Sequence, residues 1–439
     1  MSRPSFFDRA VPGTVALRSL TLVRNLLLAN LAFNMVAIVS GLPFPFTSFL
    51  FDASDVFGDF FKFALSFPGG TAVAPGTILQ DQVARALAAH DYAGAAGLKT
   101  GLLTHFHTPP LTVLICLAAN VAMRAVGAGE TYLLTIVALI GYWCRLSKLA
   151  GRNRAEARVF VLLGIVCYPM LLMIDRGNVY AGLTALLIIH AILIARREGS
   201  SGGAALCLAI AVNIRPNAII FLVPLVMLMR ERRLSMLMTF GTAAAALGGC
   251  ALLIANTLYP DYTMASFRAG LAIYYRLYVV GNDGLAFGSS LFGAIKFLIG
   301  YHPSYDSVAM LIASAILVGA ILCFRRGGLS IASMVFLICA AYTLGSAVIA
   351  DYHLLVFLVM PMLAANLNKI ETADQIALLS SCLILAPKSY IFKDGVSWQV
   401  VANPLILLVG SITILALAWR PASRAAMTGG SLPFRHATP

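Results

Sequence analysis

RVFVLLGIVCYPMLLMIDRGNVYAGLTALLIIHAILIARR, residues 158–197, decides the fold. Two strongly apolar runs, 158–174 and 179–195, flank the turn Asp175-Arg176-Gly177-Asn178, and the second run stops at Arg196-Arg197. Apolar segments of this length, closed by charge, cross a bilayer as helices. An ionic pair between two such runs is costly unless it serves something. Either the turn contributes to a site, or its Asp and Arg simply pair among the headgroups.

The pattern repeats outward from that stretch. The 439-residue chain is 60% hydrophobic and 11% charged, with mean hydropathy +0.88, whereas a soluble domain carries about 25% charged residues. The repeated runs predict an all-α polytopic membrane protein of about 11–13 helices. A net charge of +13 would suggest nucleic acid in a soluble protein. Here basic residues hold loops on the inner side, and no basic tract is interleaved with aromatics, so nucleic acid is not an expected partner. All eight cysteines lie in apolar runs without CxxC spacing, which reads as small core residues with no disulfide or metal framework.

Charge sets the expected topology. Arg3, Arg9, Arg18 and Arg24 precede the first run, a signal anchor with the N-terminus inside. Residues 1–24 then form a cytoplasmic segment, and the first span, about 25–49, exits to a long outer loop, 50–130. Pro109–Met123 holds 15 residues, about 22 Å of helix against a ~30 Å hydrocarbon core. Arg145, Lys148, Arg152, Arg154 and Arg158 come next. They fall inside only if 109–123 is juxtamembrane or half-inserted. Residues 203–229 must leave and return in 27 residues, where two crossings need about 40. They predict a broken hairpin, interrupted at Asn213-Ile214-Arg215-Pro216-Asn217 and lining a protein cavity. Transmembrane residues 25–258 precede a second group, 259–419, with its own outer segment 259–305 and a cytoplasmic tail, 420–439. On this count 20 of the 31 basic residues are inside, ten are outside and Arg215 is in the membrane.

The polar residues with chemical potential gather on the outer face. Asp55 and Asp59 are four apart and share a helix face; they suit a general base or a solvated helix start. Arg215 stands in an apolar stretch beside Pro216. A guanidinium there matches a phosphate, or it snorkels to the headgroups. Lys62 and Arg176 are further cations near the outer side. Asp351-Tyr352-His353 either caps a helix or lines a pocket, and Asn282-Asp283-Gly284 reads as a turn or a contact. His105 and His107 are two histidines without a third ligand, a weak metal motif.

Taken in order, these motifs resemble the glycosyltransferase C superfamily. They run from the acidic cluster through Phe106-His-Thr-Pro-Pro-Leu-Thr, the turn ending at Asn178 and Asn213-Ile-Arg-Pro-Asn to Asn282-Asp-Gly…Ser289-Ser-Leu and Asp351-Tyr-His-Leu-Leu. The nearest resemblance is to bacterial integral-membrane transferases related to polyprenol-phosphate-mannose-dependent α-1,2-mannosyltransferases, over roughly residues 25–365. Thr108-Pro-Pro stands where that family often has Tyr-Pro-Pro, and Arg215 where a Lys is frequent.

The resemblance implies a GT-C-like bundle with juxtamembrane helices in the first periplasmic loop. It implies a bacterial inner-membrane location with a periplasmic site, a polyprenyl-phosphate-linked sugar donor, and a glycan or lipid acceptor. Asp59, with its following Phe60, is the matching base and Asp55 the alternate, with inversion at the anomeric carbon. Arg215, Arg176 and Lys62 are then expected on the donor phosphate. Asp175, Asn178, His105, His107, Asn217, Asn282, Asp283, Asp351, Tyr352 and His353 are expected on sugar or acceptor. No cofactor is required, and no metal site is assigned, though the carboxylates could hold a divalent ion. A flippase for lipid-linked glycans and a polysaccharide polymerase or ligase are the competing classes. The first should show inverted repeats, which the sequence lacks; the second needs a larger outer loop than 259–305.

Overall fold

The computed structural model describes residues 108–197, 199–260, 262–281, 285, 288–365, 370–386, 392–393 and 396–419, together with positions 24, 25, 28, 29, 31, 32, 35, 36, 39, 40, 57, 59 and 60. The described positions from 24 to 39 are helical, and Leu31 packs against the main core.

From residue 110 onward the chain forms α1 (Pro110–Val126), α2 (Ala128–Ala150), α3 (Arg154–Val166), α4 (Tyr168–Arg176), α5 (Val179–Arg197), α6 (Ser201–Ile214), α7 (Leu222–Leu228), α8 (Arg233–Leu258), α9 (Met264–Tyr274), α10 (Leu291–Ile299), α11 (Ser304–Arg325), α12 (Ile331–Gly345), α13 (Val359–Ala364), α14 (Thr372–Leu385) and α15 (Gln399–Trp419). Among them α2, α5, α8 with its leading turn, α11 and α15 are long and apolar enough to cross a membrane; α3 and α4 together make a sixth span if the bent pair is counted as one. The chain is a helical multi-pass membrane protein. One element departs from the all-α expectation: Phe392–Lys393 pairs antiparallel with Val396–Ser397 around the sequence Asp394-Gly395.

The helices pack around three central segments. The apolar window of α5 is 83% buried, that of α8 only 11%, so α5 is interior and α8 turns most of its surface outward. A helix apolar on all sides belongs in the middle of a bundle, and α12 and the segment Asp351–Ala364 are likewise buried almost throughout.

Contacts between helix ends sort the bundle into two poles. Arg197 donates to Ala150 O at 2.7 Å, Arg196 to Leu363 O at 3.1 Å and Arg232 to Gly199 O at 3.0 Å. Arg326 lies 4.5 Å from the Trp419 ring. Ser330 and Ser333 both donate to Asp374. These contacts bring the basic loops to one pole, where arginines cap the carbonyl ends of α2 and α13. The return of the chain from Gly199 to Arg232 at that same pole is the expected hairpin.

Several helices stop short of the other pole. α6 holds 14 residues, about 21 Å against a ~30 Å hydrocarbon core. Arg215 is extended, with φ −139° and ψ 101°, and Pro216–Phe221 continues as a 3-10 turn. Asn213 bonds Ala244 O at 3.1 Å, partway along α8, so the break lies well inside the bundle. The expected single span over 158–174 is instead two helices bent by 50°. Cys167 between them is extended, and Pro169 supplies no N–H to continue the ladder.

α1 packs by its first turns against the end of α6 and the start of α5. Thr112 donates to Ile214 O at 3.3 Å, and Cys116 lies 3.1 Å from the Tyr180 hydroxyl. Tyr262 donates to Thr108 O. Burial pushes the Tyr262 phenol up, so it remains a donor at neutral pH.

Candidate functional site

The turn Asp175–Asn178 supplies the floor of the site. α4 ends in a Schellman arrangement: Asn178 N donates to Met173 O at 3.1 Å and Gly177 N to Ile174 O at 3.2 Å. Gly177 takes φ +74°, the left-handed conformation this motif needs. A Cβ there would come within 2.8 Å of Phe60 Cβ, so the glycine also admits the incoming 57–60 segment. Phe57 N donates to Asp175 O at 2.6 Å. The rings of Phe57 and Phe60 pack 4.7 and 5.0 Å from Tyr132, whose hydroxyl donates to Ile174 O. Phe57 itself holds φ +57°, a conformation costing about 1–3 kcal/mol in a non-glycine residue.

This docking delivers Asp59. Asn178 Nδ2 donates to Asp59 Oδ2 at 2.9 Å. The other end of the same amide is already committed: Asn178 Oδ1 accepts from Ala181 N at 3.2 Å and so caps α5. The cap fixes which way the amide faces, because only the oxygen accepts. Arg215 NH2 approaches that same oxygen at 3.5 Å, the outer limit of a hydrogen bond. A carboxylate from the outer loop and a guanidinium from the broken hairpin therefore meet on one asparagine.

Arg215 is under-committed. Its guanidinium carries five N–H donors, and among the described residues Asn178 is its one hydrogen-bond partner. No described carboxylate forms an ion pair with it. The His353, Tyr342 and Tyr352 side chains are within electrostatic range of it. Tyr352 is also in range of Asp59, and it meets the His353 ring at 4.8 Å. Asn217 lies beside Tyr342. Beside them a cavity of about 200 Å³ opens between the 3-10 turn, α11 and α12, lined by Asn217, Ile220, Ala313, Leu317, Tyr342 and Gly345.

Other expected residues have different partners. Arg176 Nε lies 3.7 Å from Asp175 Oδ2, both side chains being buried, so this pair underlies the turn. Asp351 is fully buried in a separate polar cluster. It accepts from Ser289 Oγ and Gln399 Nε2, and Asn403 Nδ2 donates to Ser289 Oγ at 2.7 Å. A bridge between Gly288 and Ala350 closes the same junction. The Ser289 and Asp351 motifs, 62 residues apart, are thus in direct contact and tie the 3-10 helix Asp351–Leu358 to α15. Asp55, Lys62, His105, His107, Asn282 and Asp283 lie outside the described residues. Among the described residues no group of three or more His, Cys, Asp or Glu comes together.

Sequence reading overlooked Tyr342, Gln399 and Asn403. Gln399 and Asn403, amides in the first turns of an otherwise apolar helix, were the available signal. No family model matches this chain, and no curated protein is similar to it.

Proposed function

We propose that this protein is an inverting glycosyltransferase that takes a sugar from a polyprenyl-phosphate donor at the outer face of a bacterial inner membrane. The observation that carries the reading is the chain Asp59–Asn178–Arg215, a carboxylate and an under-committed guanidinium held by one amide. Donor and acceptor chemistry needs these two groups close together. Asp59 accepts the proton of an acceptor hydroxyl as that oxygen forms its bond to the anomeric carbon. The bond from that carbon to the donor's phosphate oxygen breaks, and its electron pair leaves with the polyprenyl phosphate. The charge that develops there falls on Arg215, whose planar fork matches phosphate.

Asn178 orients Asp59 through its amide nitrogen. His353 and Tyr352 stand where sugar hydroxyls need partners. The largely apolar cavity beside Asn217 and Ile220 suits the first isoprene units. Arg176, paired to Asp175, serves the turn on this reading.

The test is transfer of radiolabelled sugar from polyprenyl-phosphate-mannose, -glucose and -arabinose to membrane glycans in reconstituted vesicles. Asp59→Asn should lower the rate by about 10²–10⁴-fold while donor binding is kept. Undiminished transfer in that variant removes Asp59 as the base. No transfer from any donor, with lipid moving between leaflets, makes the protein a flippase.

A further inference from the structure

Above the site, the outer segment after α8 carries two tyrosines four residues apart, Tyr274 and Tyr278, across the junction of α9 with a π-helical turn, Tyr275–Val280. Their rings stack with centroids 4.4 Å apart and 26° between planes. π-Turns recur at functional sites because the extra residue re-aims side chains. This one is pinned from α10: buried Lys296 donates from Nζ to Val279 O at 2.9 Å and to Gly281 O, and it lies 5.8 Å from the Tyr301 ring. An ammonium at the carbonyl end of a helical turn is favourable. It fixes the segment that presents the tyrosines.

Tyr274 brings the pair next to the reacting groups. The Tyr274 phenol is in electrostatic range of Arg215 and Asp59. That of Tyr352 is in range of Asp59, Arg215, Tyr274 and Tyr278. Both Tyr274 and Tyr278 remain partly exposed. Two phenols, Tyr274 and Tyr352, are therefore in range of both the carboxylate and the guanidinium, and Tyr278 stacks on the first of them.

We infer that the stacked Tyr274–Tyr278 pair is the platform on which the acceptor's sugar ring lies, and so a specificity-determining surface; this rests on the glycosyl-transfer reading. The C–H face of a pyranose is apolar and slightly positive, matching the negative face of an aromatic ring. The acceptor is the ring assigned here because its hydroxyl must reach Asp59 from the outer pole, where α9 lies. The donor's phosphate is held on the other side, by the hairpin.

The full chain in lipid nanodiscs would be titrated with the methyl glycosides of mannose, glucose, galactose and arabinose, read by saturation-transfer NMR. At least one glycoside should bind the wild type through its ring C–H protons. Asp59→Asn and the double variant Tyr274→Phe, Tyr278→Phe should keep that binding. The double variant Tyr274→Ala, Tyr278→Ala should weaken it by about tenfold. Equal affinity in the alanine pair, or no binding of any glycoside to the wild type, overturns the platform. Transfer lost in Asp59→Asn yet showing unchanged acceptor KM in the alanine pair keeps the enzyme and overturns the platform. Tyrosine-dependent sugar binding without transfer from any donor keeps the platform and removes the enzyme.

Discussion

An asparagine and an aspartate cap a helix about equally well, and Asn178 is placed where that equivalence separates structure from chemistry. Its oxygen caps α5 while its amide nitrogen donates to Asp59. Asn178→Asp keeps the cap and sets a second carboxylate against the first. Folding should therefore survive, with a thermal midpoint in detergent close to that of the wild type. Sugar transfer at neutral pH should fall by about a hundredfold or more, because an unfavourable neighbouring charge and a lost hydrogen bond both act on the base. Wild-type transfer in this variant would show that Asn178 does not support the base. Asp59 was singled out from sequence by its spacing and by the resemblance. Its partner amide was legible only as part of a turn, because a cap does not reveal what the other half of its side chain faces.

At the scale of elements, the broken hairpin is the decisive feature. Twenty-seven residues cannot make two crossings, so the interruption around Arg215 is a consequence of length alone. The interruption leaves an extended arginine inside the bundle, with helix ends around it. Arg215→Lys keeps the charge and loses the fork, so it should raise the donor KM about tenfold. Arg215→Ala should raise it by about ten- to a hundredfold, the range for losing hydrogen bonds to a charged group. Acceptor KM should be unchanged in both. A selective effect on the acceptor would move the phosphate away from this residue. The bend between α3 and α4 was not legible in the same way: the sequence offered Pro169, but an apolar run of 17 residues read equally well as one span.

For the whole molecule, the two poles have different chemistry. Arginines collect on the carbonyl ends at one pole, and Asp59, Asn178 and Asp351 lie toward the other. On the positive-inside rule, the proposal puts the first pole in the cytoplasm. Single cysteines at exposed Arg154 and Ser304, in a chain otherwise freed of cysteine, test this with a membrane-impermeant maleimide. Intact spheroplasts should be labelled at position 304, and at position 154 only after permeabilisation. The reverse pattern would turn the site to the cytoplasm and remove the periplasmic donor from the proposal.

Amino-acid order alone determined that this chain is a helical membrane protein, where its apolar segments begin and end, and which of them are too short to cross unaided. Those conclusions need only hydropathy, length and charge, which are local quantities. Tertiary structure decided which polar residues meet. Asp59 and Asn178 are 119 positions apart, and Asp351 meets Ser289, Gln399 and Asn403 in a buried junction that local pattern could not distinguish from a pocket motif. The stacking of Tyr274 on Tyr278 beside Arg215 depends on a π-turn held by a lysine from another helix. Such partnerships are set by how helix ends pack in three dimensions, and the order of residues along one segment does not contain them.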